Sequence, residues 1–226
     1  MWRQSTIIRG VFFPVRADLC RRGGCDGHLE KTISMLFSLW KSMRQRPSVR
    51  RGGERRLHIG GVEAKPGWEI LNAMALPTTD HVGSAADLTC FPDECFVEVY
   101  GSHVLEHLDF KDELQSALRE WFRVLAKGGR LYVGVPDLDA LARLVLDPKL
   151  SLNDRFHVVK VMFGGHVDEY DYHKVGFNFE ILRYFLTEAG FTGIERVHSF
   201  GLFNDTSSLT FAETPISLNV IAFKPE

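Results

Sequence analysis

From Leu57 onward, short apolar runs alternate with glycine, proline and polar residues, and this pattern predicts β-strands separated by turns. Four such runs precede residue 101: Leu57–Ile59, Glu69–Leu71, His81–Val82 and Phe96–Tyr100. Because each run stops at turn-forming residues, we expect the first half of the folded region to supply several short strands of one sheet.

A helix and a further strand follow. Apolar residues recur at helical spacing between Lys111 and Leu125 and predict an amphipathic helix that packs on the sheet. Gly128-Gly129 is predicted to end this helix as a left-handed cap. The apolar run Arg130–Val135, halted by Pro136, predicts a buried central strand. Strand, helix and strand in this order specify a parallel pair joined by a right-handed crossover.

After Asp137 the pattern loosens, and it becomes regular again at Asn178. This residue is predicted to be the N-cap of a helix that closes at Gly190. Two more strands are predicted over Ile194–Val197 and Ile216–Phe223. Together these elements predict an α/β fold, a Rossmann-like, doubly wound and mostly parallel sheet with a C-terminal antiparallel strand.

The beginning of the chain differs from the rest in charge. Up to Arg56 there are 13 Lys and Arg against 4 Asp and Glu, whereas the remainder has 14 against 25. We expect residues 1–55 to be a basic N-terminal extension, partly helical or disordered, and residues 56–226 to be the α/β domain. The apolar patch Ile33–Trp40 favours a helix on the body followed by a solvated linker. A weak membrane-surface contact of the basic arm and a translation start at Met35 are the alternatives.

Composition narrows the class of protein. Hydrophobic residues make up 45% and charged residues 25%, as in ordinary globular proteins. The acidic body is a poor platform for nucleic acid, which needs Lys and Arg to displace counterions. The spacings Cys20/Cys25 and Cys90/Cys95 match neither a zinc half-site nor a redox motif, so we expect free thiols. No apolar run reaches the roughly 18 residues of a membrane span, and Arg9 interrupts any signal-peptide core. The expected location is the cytoplasm.

Glycine and polar residues follow four of the predicted strands, at ends that meet along one edge of a parallel sheet. They are Gly60-Gly61, Asn72, Asp87-Leu88 and Gly101-Ser102-His103. A glycine pair lets backbone approach a ligand, a polar side chain can bond ribose hydroxyls, and a carboxylate can accept from an adenine amino group. We predict that this edge holds a nucleotide-like ligand.

These strand ends, with a longer run beyond them, resemble the class I S-adenosylmethionine-dependent methyltransferases, particularly the small bacterial group of type 11. The matching stretches are Leu57–Gly61, Gly67-Trp68, Asp87-Leu88, Pro92-Asp93, Leu105–His107, Glu120–Gly129 and Val135–Asp137. The part between Leu105 and Asp137 is specific, because many positions match at fixed spacing. The resemblance implies a methyltransferase with S-adenosylmethionine as its cofactor. The cofactor-binding residues that it implies are Gly60, Gly61, Asn72, Asp87, Leu88, Ser102 and His103.

Two positions depart from the family pattern. Val62 replaces the second motif glycine, and Asn72 stands where the ribose-binding acid is usual. An amide can still bond a hydroxyl but carries no charge. The connection from Val62 to Trp68 is also shorter than a complete crossover, so only about one helical turn is expected there. A bulky side chain at Gly60 or Gly61 is expected to abolish cofactor binding and to leave the fold largely intact.

Methyl transfer from a sulfonium requires the acceptor to be held in line with the methyl group, and a base where the acceptor loses a proton. The candidate bases are His103, His107 and His173, of which His173 and His103 are predicted to be catalytic. His173 comes first because it lies in a polar and aromatic cluster that resembles the family's substrate-facing insert. A single histidine is as often a satisfied polar residue. We predict no metal ion, and a small-molecule or sugar acceptor rather than nucleic acid.

Two other functions compete with this interpretation. A binding protein that kept the fold but lost turnover would explain Val62 and Asn72. The residues His103-x-x-Glu106-His107 also fit the pattern of an inverted zinc peptidase, in which two histidines bind zinc and the glutamate is a base. That motif belongs in the middle of a long helix, whereas here it follows a predicted strand end.

Overall fold

The structure is a computed structural model that describes residues 54–167 and 170–226. Nearly all of the predicted basic extension, with its apolar patch Ile33–Trp40 and the Cys20/Cys25 pair, lies outside the described residues. The boundary predicted near residue 55 therefore stays a prediction.

Seven strands form the main sheet, in the spatial order β3-β2-β1-β4-β5-β9-β6. Their bounds are Arg56–Ile59 (β1), Trp68–Asn72 (β2), His81–Val82 (β3), Phe96–Ser102 (β4), Leu125–Pro136 (β5), Thr192–Val197 (β6) and Ser217–Phe223 (β9). A two-stranded hairpin is formed by Thr210–Phe211 (β7) and Thr214–Pro215 (β8). In the main sheet β1 to β5 are parallel, and β9 is antiparallel to both β5 and β6. The predicted Rossmann-like fold with a C-terminal antiparallel strand is confirmed.

Four α-helices accompany the sheet in the described part of the chain. They are Glu113–Val124 (α1), Leu138–Leu146 (α2), Leu152–Phe163 (α3) and Phe179–Glu188 (α4). Helix α1 is the predicted amphipathic helix, and it buries Leu114, Leu118 and Trp121 against the main core. Asn178 caps α4 as predicted, because its side-chain oxygen accepts a hydrogen bond from the Ile181 N–H at 3.0 Å. None of the described helices is long and apolar enough to cross a bilayer.

The predicted glycine cap of α1 is wrong. The helix ends at Val124, and Leu125 already has extended backbone angles as the first residue of β5. Gly128 does have a positive φ of 67°, but it lies inside β5, where its N–H donates to the Lys224 carbonyl. The glycine pair therefore lies in an irregular stretch of an inner strand, where the register with β4 shifts, instead of closing the helix.

One face of the sheet is covered in an unusual way. In the described connections between β1 and β4 the chain forms turns and no helix, so even the single helical turn predicted before Trp68 is absent. The aligned residues His58, Tyr100 and Tyr132 of β1, β4 and β5 point to this face. Phe200 and Phe203, from the segment after β6, pack on these three rings with centroid distances of 4.1–5.6 Å. An irregular segment thus covers this face, as helices cover the opposite one.

Candidate active site

The glycine turn after β1 is packed closely on the sheet. Gly60 has a φ of 76° and donates its N–H to the Leu71 carbonyl at 2.8 Å. A Cβ at Gly60 would lie 2.6 Å from Val104, and a Cβ at Gly61 would lie 2.6 Å from the His58 ring. The left-handed angle and the close neighbours explain the two glycines. They also mean that a bulky residue at either position disturbs the fold as well as the ligand edge, which differs from the expectation above.

Asn72 holds this turn in place. The side chain is buried at the end of β2, and its Nδ2 donates to the Gly61 carbonyl at 3.0 Å. Its Oδ1 accepts a hydrogen bond from the Met74 N–H at 2.9 Å. Both ends of the amide are therefore engaged with backbone. Asn72 lies at the predicted ligand-binding edge of the sheet, but its side chain holds the turn through hydrogen bonds and is not free to bind a ligand.

The Asp87-Leu88 pair divides between solvent and core. Asp87 is exposed, and its Oδ1 accepts hydrogen bonds from both the hydroxyl and the N–H of Thr89, which lower the pKa of the carboxyl. Leu88 is fully buried, and its carbonyl accepts from Arg123 at 2.9 Å. The carboxylate of Asp87 stays open to a ligand, while Leu88 anchors the loop to α1 through Arg123.

Ser102 and His103 end β4 beside the glycine turn. His103 has a φ of 54°, which is uncommon for a residue with a side chain and marks a constrained position. Its N–H donates to the Gly134 carbonyl, and its Nε2 lies 3.0 Å from the Ser217 hydroxyl. A Cβ at Gly134 would lie 3.0 Å from Ser102 Oγ, so the absence of a side chain there leaves room around the serine. The turn at His103 directs the chain into the next group of polar residues.

A cluster of three ionisable side chains follows directly, formed by Glu106, His107 and His173. Glu106 and His107 belong to the 3₁₀ turn Leu105–His107, and Glu106 is 1% exposed. His173 joins them because the Lys174 N–H donates to the Glu106 carbonyl at 2.7 Å. The rings of His107 and His173 meet at a centroid distance of 4.8 Å and an angle of 79°. One ligand-type atom from each of the three side chains lies within 4.8 Å of the others.

The electrostatics of this cluster favour neutral imidazole at His173. Burial lowers the pKa of His173 and outweighs the opposing charge of Glu106. His103 approaches the cluster from the other side, where its Nδ1 lies 3.1 Å from Glu106 Oε1 without hydrogen-bond geometry. The structure thus brings together both predicted catalytic histidines around one buried carboxylate.

A separate cleft of about 430 Å³ opens beside the end of β5. Asp137, Arg143 and Arg196 are among its lining residues, and none of the predicted cofactor or catalytic residues lines it. The Asp137 carboxylate is already engaged, because it caps α2 and lies 2.6 Å from Arg196. We therefore assign the cleft no part in the chemistry.

A family model matches the first part of the described chain. Residues 55–133, which contain β1 to β4, α1 and most of β5, match the family model of a methyltransferase domain. This segment resembles a methyltransferase domain, and the match covers less than half of the chain. The match confirms the resemblance to the type 11 group of the class I enzymes, and S-adenosylmethionine is the methyl donor of that class. No curated protein sequence matches the chain significantly.

Several solved structures resemble the chain at low identity. A CurJ carbon methyltransferase is 17% identical, with a TM-score of 0.49 over 83% of this chain and 52% of the other. A SAM-dependent methyltransferase from Archaeoglobus fulgidus is 18% identical, with a TM-score of 0.47 over 86% of this chain and 94% of the other. A Haloferax volcanii complex of the Trm112 methyltransferase activator with a putative methyltransferase is 14% identical. Its TM-score is 0.47 over 89% of this chain and 95% of the other. The chain spans about half the length of the CurJ protein.

The residues of the matched segment fit S-adenosylmethionine in part. The turn at Gly60-Gly61 packs closely on the strand ends, so its backbone leaves space for a ligand above it. The Asp87 carboxylate is exposed and could accept a hydrogen bond from an adenine amino group. The Ser102 Oγ is buried and has no hydrogen-bond partner among the described residues. Asn72 departs from the fit, since its amide is engaged by Gly61 and Met74. The groups that would hold the nucleoside are the glycine turn, the Asp87 carboxylate and the Ser102 hydroxyl.

One functional residue is missed by reasoning from the sequence. Glu106 enters there within the matching stretch Leu105–His107 and as the glutamate of the zinc-peptidase pattern, but without a role in methyl transfer. Its place in the Leu-Glu-His motif is the signal that could have identified it. The peptidase alternative itself is unsupported. His103 lies outside the 3₁₀ turn, so His103 and His107 are not on successive turns of one helix.

Proposed function

We propose that this protein transfers a methyl group from S-adenosylmethionine to a small-molecule or glycan acceptor. The observation that carries the proposal is the convergence of His103 and His173 on Glu106 at the carboxyl end of β4. Ligands of doubly wound sheets bind at this end of the strands. The histidines therefore lie where an acceptor could meet a cofactor held at the neighbouring glycine turn.

Gly60, Gly61, Asp87 and Ser102 are proposed to hold the cofactor, which supplies a methyl group on a positively charged sulfur. The protein's share of such a reaction is positioning and proton removal. Leu88 and His103 would shape the same edge, one from the core and one from the end of β4.

His173 is proposed as the residue that accepts the proton of the acceptor, with His103 as the second candidate. A base must be neutral at the working pH, and the lowered pKa of His173 meets this requirement. His103 comes second because its Nε2 is already engaged, 3.0 Å from the Ser217 hydroxyl.

The remaining assignments follow from charge and composition. The body after Arg56 is acidic, with 25 Asp and Glu against 14 Lys and Arg, which disfavours nucleic acid as the acceptor. We propose a cytoplasmic protein whose basic N-terminal arm makes at most a weak contact with anionic lipid. That arm lies outside the described residues.

Calorimetry with S-adenosylmethionine tests cofactor binding, and labelled methyl uptake from acceptor pools tests turnover. Micromolar binding with methyl uptake is the expected result. Binding without uptake by any acceptor pool would favour the alternative of a binding protein that has lost turnover. No heat at millimolar cofactor would overturn the proposal altogether.

The base is tested by His173→Gln. Loss of general-base catalysis is expected to lower the turnover number about 100-fold or more, with cofactor affinity unchanged because His173 is not among the cofactor residues. His198→Gln is the matched control, since His198 is exposed and outside the site. Initial rates of methyl transfer and calorimetry measure the two effects. Full activity of the His173→Gln variant would remove this residue from the mechanism.

A further inference from the structure

Glu106 is a buried carboxylate with little to balance its charge. It is 1% exposed, and neither oxygen accepts a hydrogen bond within the described part of the chain. Lys174, whose backbone touches Glu106, directs its ammonium to Glu113 at 2.9 Å instead. Only the off-geometry contact with His103 Nδ1 is within ion-pair distance among the described residues. A carboxylate so placed is costly unless another group neutralises it.

A second unsatisfied group faces the same space. The Nδ1 of His107 is buried and has no hydrogen-bond partner among the described residues. With Glu106 and His173 it belongs to a set whose ligand atoms lie within 4.8 Å of one another. Two imidazoles and one carboxylate are the ligands that Zn²⁺ and related divalent transition metals take in proteins.

His173 also has the outer contact that metal-binding histidines show. Its Nδ1 lies 3.3 Å from the Met162 carbonyl. A proton on Nδ1 donates to this carbonyl and leaves the lone pair of Nε2 available, which is how a second partner usually orients a ligand histidine. The His173 N–H donates to the Phe163 carbonyl at 3.1 Å, so the backbone is fixed as well.

We propose that Glu106, His107 and His173 bind a divalent transition-metal ion of the Zn²⁺ type, contrary to the expectation of no metal from the sequence. Metal-ligand bonds of about 2.1 Å in a tetrahedral site place ligand atoms about 3.4 Å apart. Separations of up to 4.8 Å therefore require a small closing movement of the side chains when the ion binds. The ion satisfies both orphan groups at once.

The metal site would also narrow the choice of acceptor atom, and this one inference rests on the proposed function. Three protein ligands leave a coordination position open, and a hydroxyl bound there loses its proton more readily. The acceptor atom is then an oxygen. With the ion bound, His173 would be a ligand instead of the base proposed above, and His103, the second candidate of the proposed function, would take the proton.

The test is a titration of the chelator-treated full chain with Co²⁺, followed by visible absorption and by competition with Zn²⁺. We expect one equivalent to bind with d–d bands and without the thiolate-to-cobalt charge-transfer bands of a cysteine site. Glu106→Gln, His107→Gln and His173→Gln should each weaken binding roughly tenfold or more. His198→Gln is the control and should bind Co²⁺ like the unchanged protein.

Absence of saturable binding, or binding that Glu106→Gln and His173→Gln leave unchanged, would overturn the metal site. Thermal unfolding shows whether each variant is folded. If Glu106→Gln is not, His173→Gln decides, because His173 lies in a connection outside the helices and strands. Calorimetry with S-adenosylmethionine on metal-free protein keeps the two proposals apart. Cofactor binding without a cobalt site refutes only the metal, and a cobalt site without cofactor binding refutes only the methyltransferase activity.

Discussion

Asn72 stands where the family pattern has an acid, and its contacts explain why this chain has an amide. The Nδ2 group donates to the Gly61 carbonyl, which a carboxylate cannot do. An aspartate in the same place would direct a buried negative charge at a carbonyl oxygen. The residue that looks like a weakened ribose ligand in the sequence is thus required by the turn next to it.

Asn72→Asp is therefore expected to lower the free energy of unfolding by about 1–3 kcal/mol, the cost of a lost buried hydrogen bond and an unsatisfied acceptor. Chemical denaturation measures it. Asn153→Asp, on the exposed side of α3, is the control and should change stability by less than about 0.5 kcal/mol. Undiminished stability of the Asn72→Asp variant, together with tighter cofactor binding, would show that Asn72 does not brace the turn.

His58 makes stability depend on pH. Burial lowers its pKa to about 4, from an ordinary value of 6.5 in the unfolded chain. Between these values the unfolded state binds more protons, so the free energy of unfolding falls as the pH is lowered from about 6.5 to about 4. The contribution of His58 over this window is about 3 kcal/mol at most, since one pKa unit corresponds to about 1.4 kcal/mol.

His58→Phe keeps a ring against Phe203 and Tyr100 but removes the titrating group. Urea denaturation at a series of pH values should show a flatter loss of stability between pH 6.5 and 4 than in the unchanged protein. The exposed His198→Gln variant should keep the original slope. An unaltered slope in the His58→Phe variant would assign the pH dependence to other groups.

At the scale of elements, the sequence was informative where one face of an element packs on the main core. The stripe on α1 and the apolar runs of β4 and β5 identified those elements for this reason. Helices α2 and α3 were missed because they pack mainly on each other, through Leu144, Val158 and neighbours of a smaller core. Leu152, Phe156 and Phe163 of α3 are exposed, which blurs the helical period.

Asp137 closes β5 and opens α2, and it is 2% exposed. Its carboxylate accepts from the N–H groups of Asp139 and Ala140 and pairs with Arg196. Asp137→Ala should cost about 1–2 kcal/mol, chiefly through the lost cap, since Arg196 is half exposed and its ion pair is screened by water.

Equilibrium unfolding compares this variant with Asp139→Ala. Asp139 is on the same turn but exposed, so its replacement is expected to change stability by less than about 0.5 kcal/mol. Equal effects of the two substitutions would contradict the capping role of Asp137.

At the scale of the molecule, the site is assembled from parts that are distant in sequence. The positions after β1, β2 and β4 could be assigned to one edge from the sequence, because parallel strands place their carboxyl ends together. The contact between His107 and His173 could not be predicted from the sequence, because it depends on how the connection after α3 returns to the 3₁₀ turn. The hydrogen bond from Asn72 to the Gly61 carbonyl could not be predicted either, because every residue has a backbone carbonyl and the sequence does not show which one a side chain will reach.

The sheet face formed by His58, Tyr100 and Tyr132 depends on Phe203. Phe203→Ala should destabilise the protein by about 2–3 kcal/mol, less than for a fully buried phenylalanine because the ring is partly exposed. Hydrogen exchange should also accelerate at the amides of β1 and β2. Phe156→Ala, with an exposed ring on α3, should leave both quantities nearly unchanged. Unaltered exchange in β1 would show that the covering segment is dispensable.

The late position of that segment has a consequence during synthesis. Lys65 donates to the Leu202 carbonyl, and the rings of His58 and Trp68 are covered by Phe203, which lies well over a hundred residues downstream. On the ribosome the first strands must therefore expose an aromatic surface until the chain has been synthesised past Phe203. Such long-range closure slows folding and leaves the nascent chain prone to association. We therefore expect the yield of folded protein to rise when chaperones are co-expressed, because the sheet face lacks helices of its own.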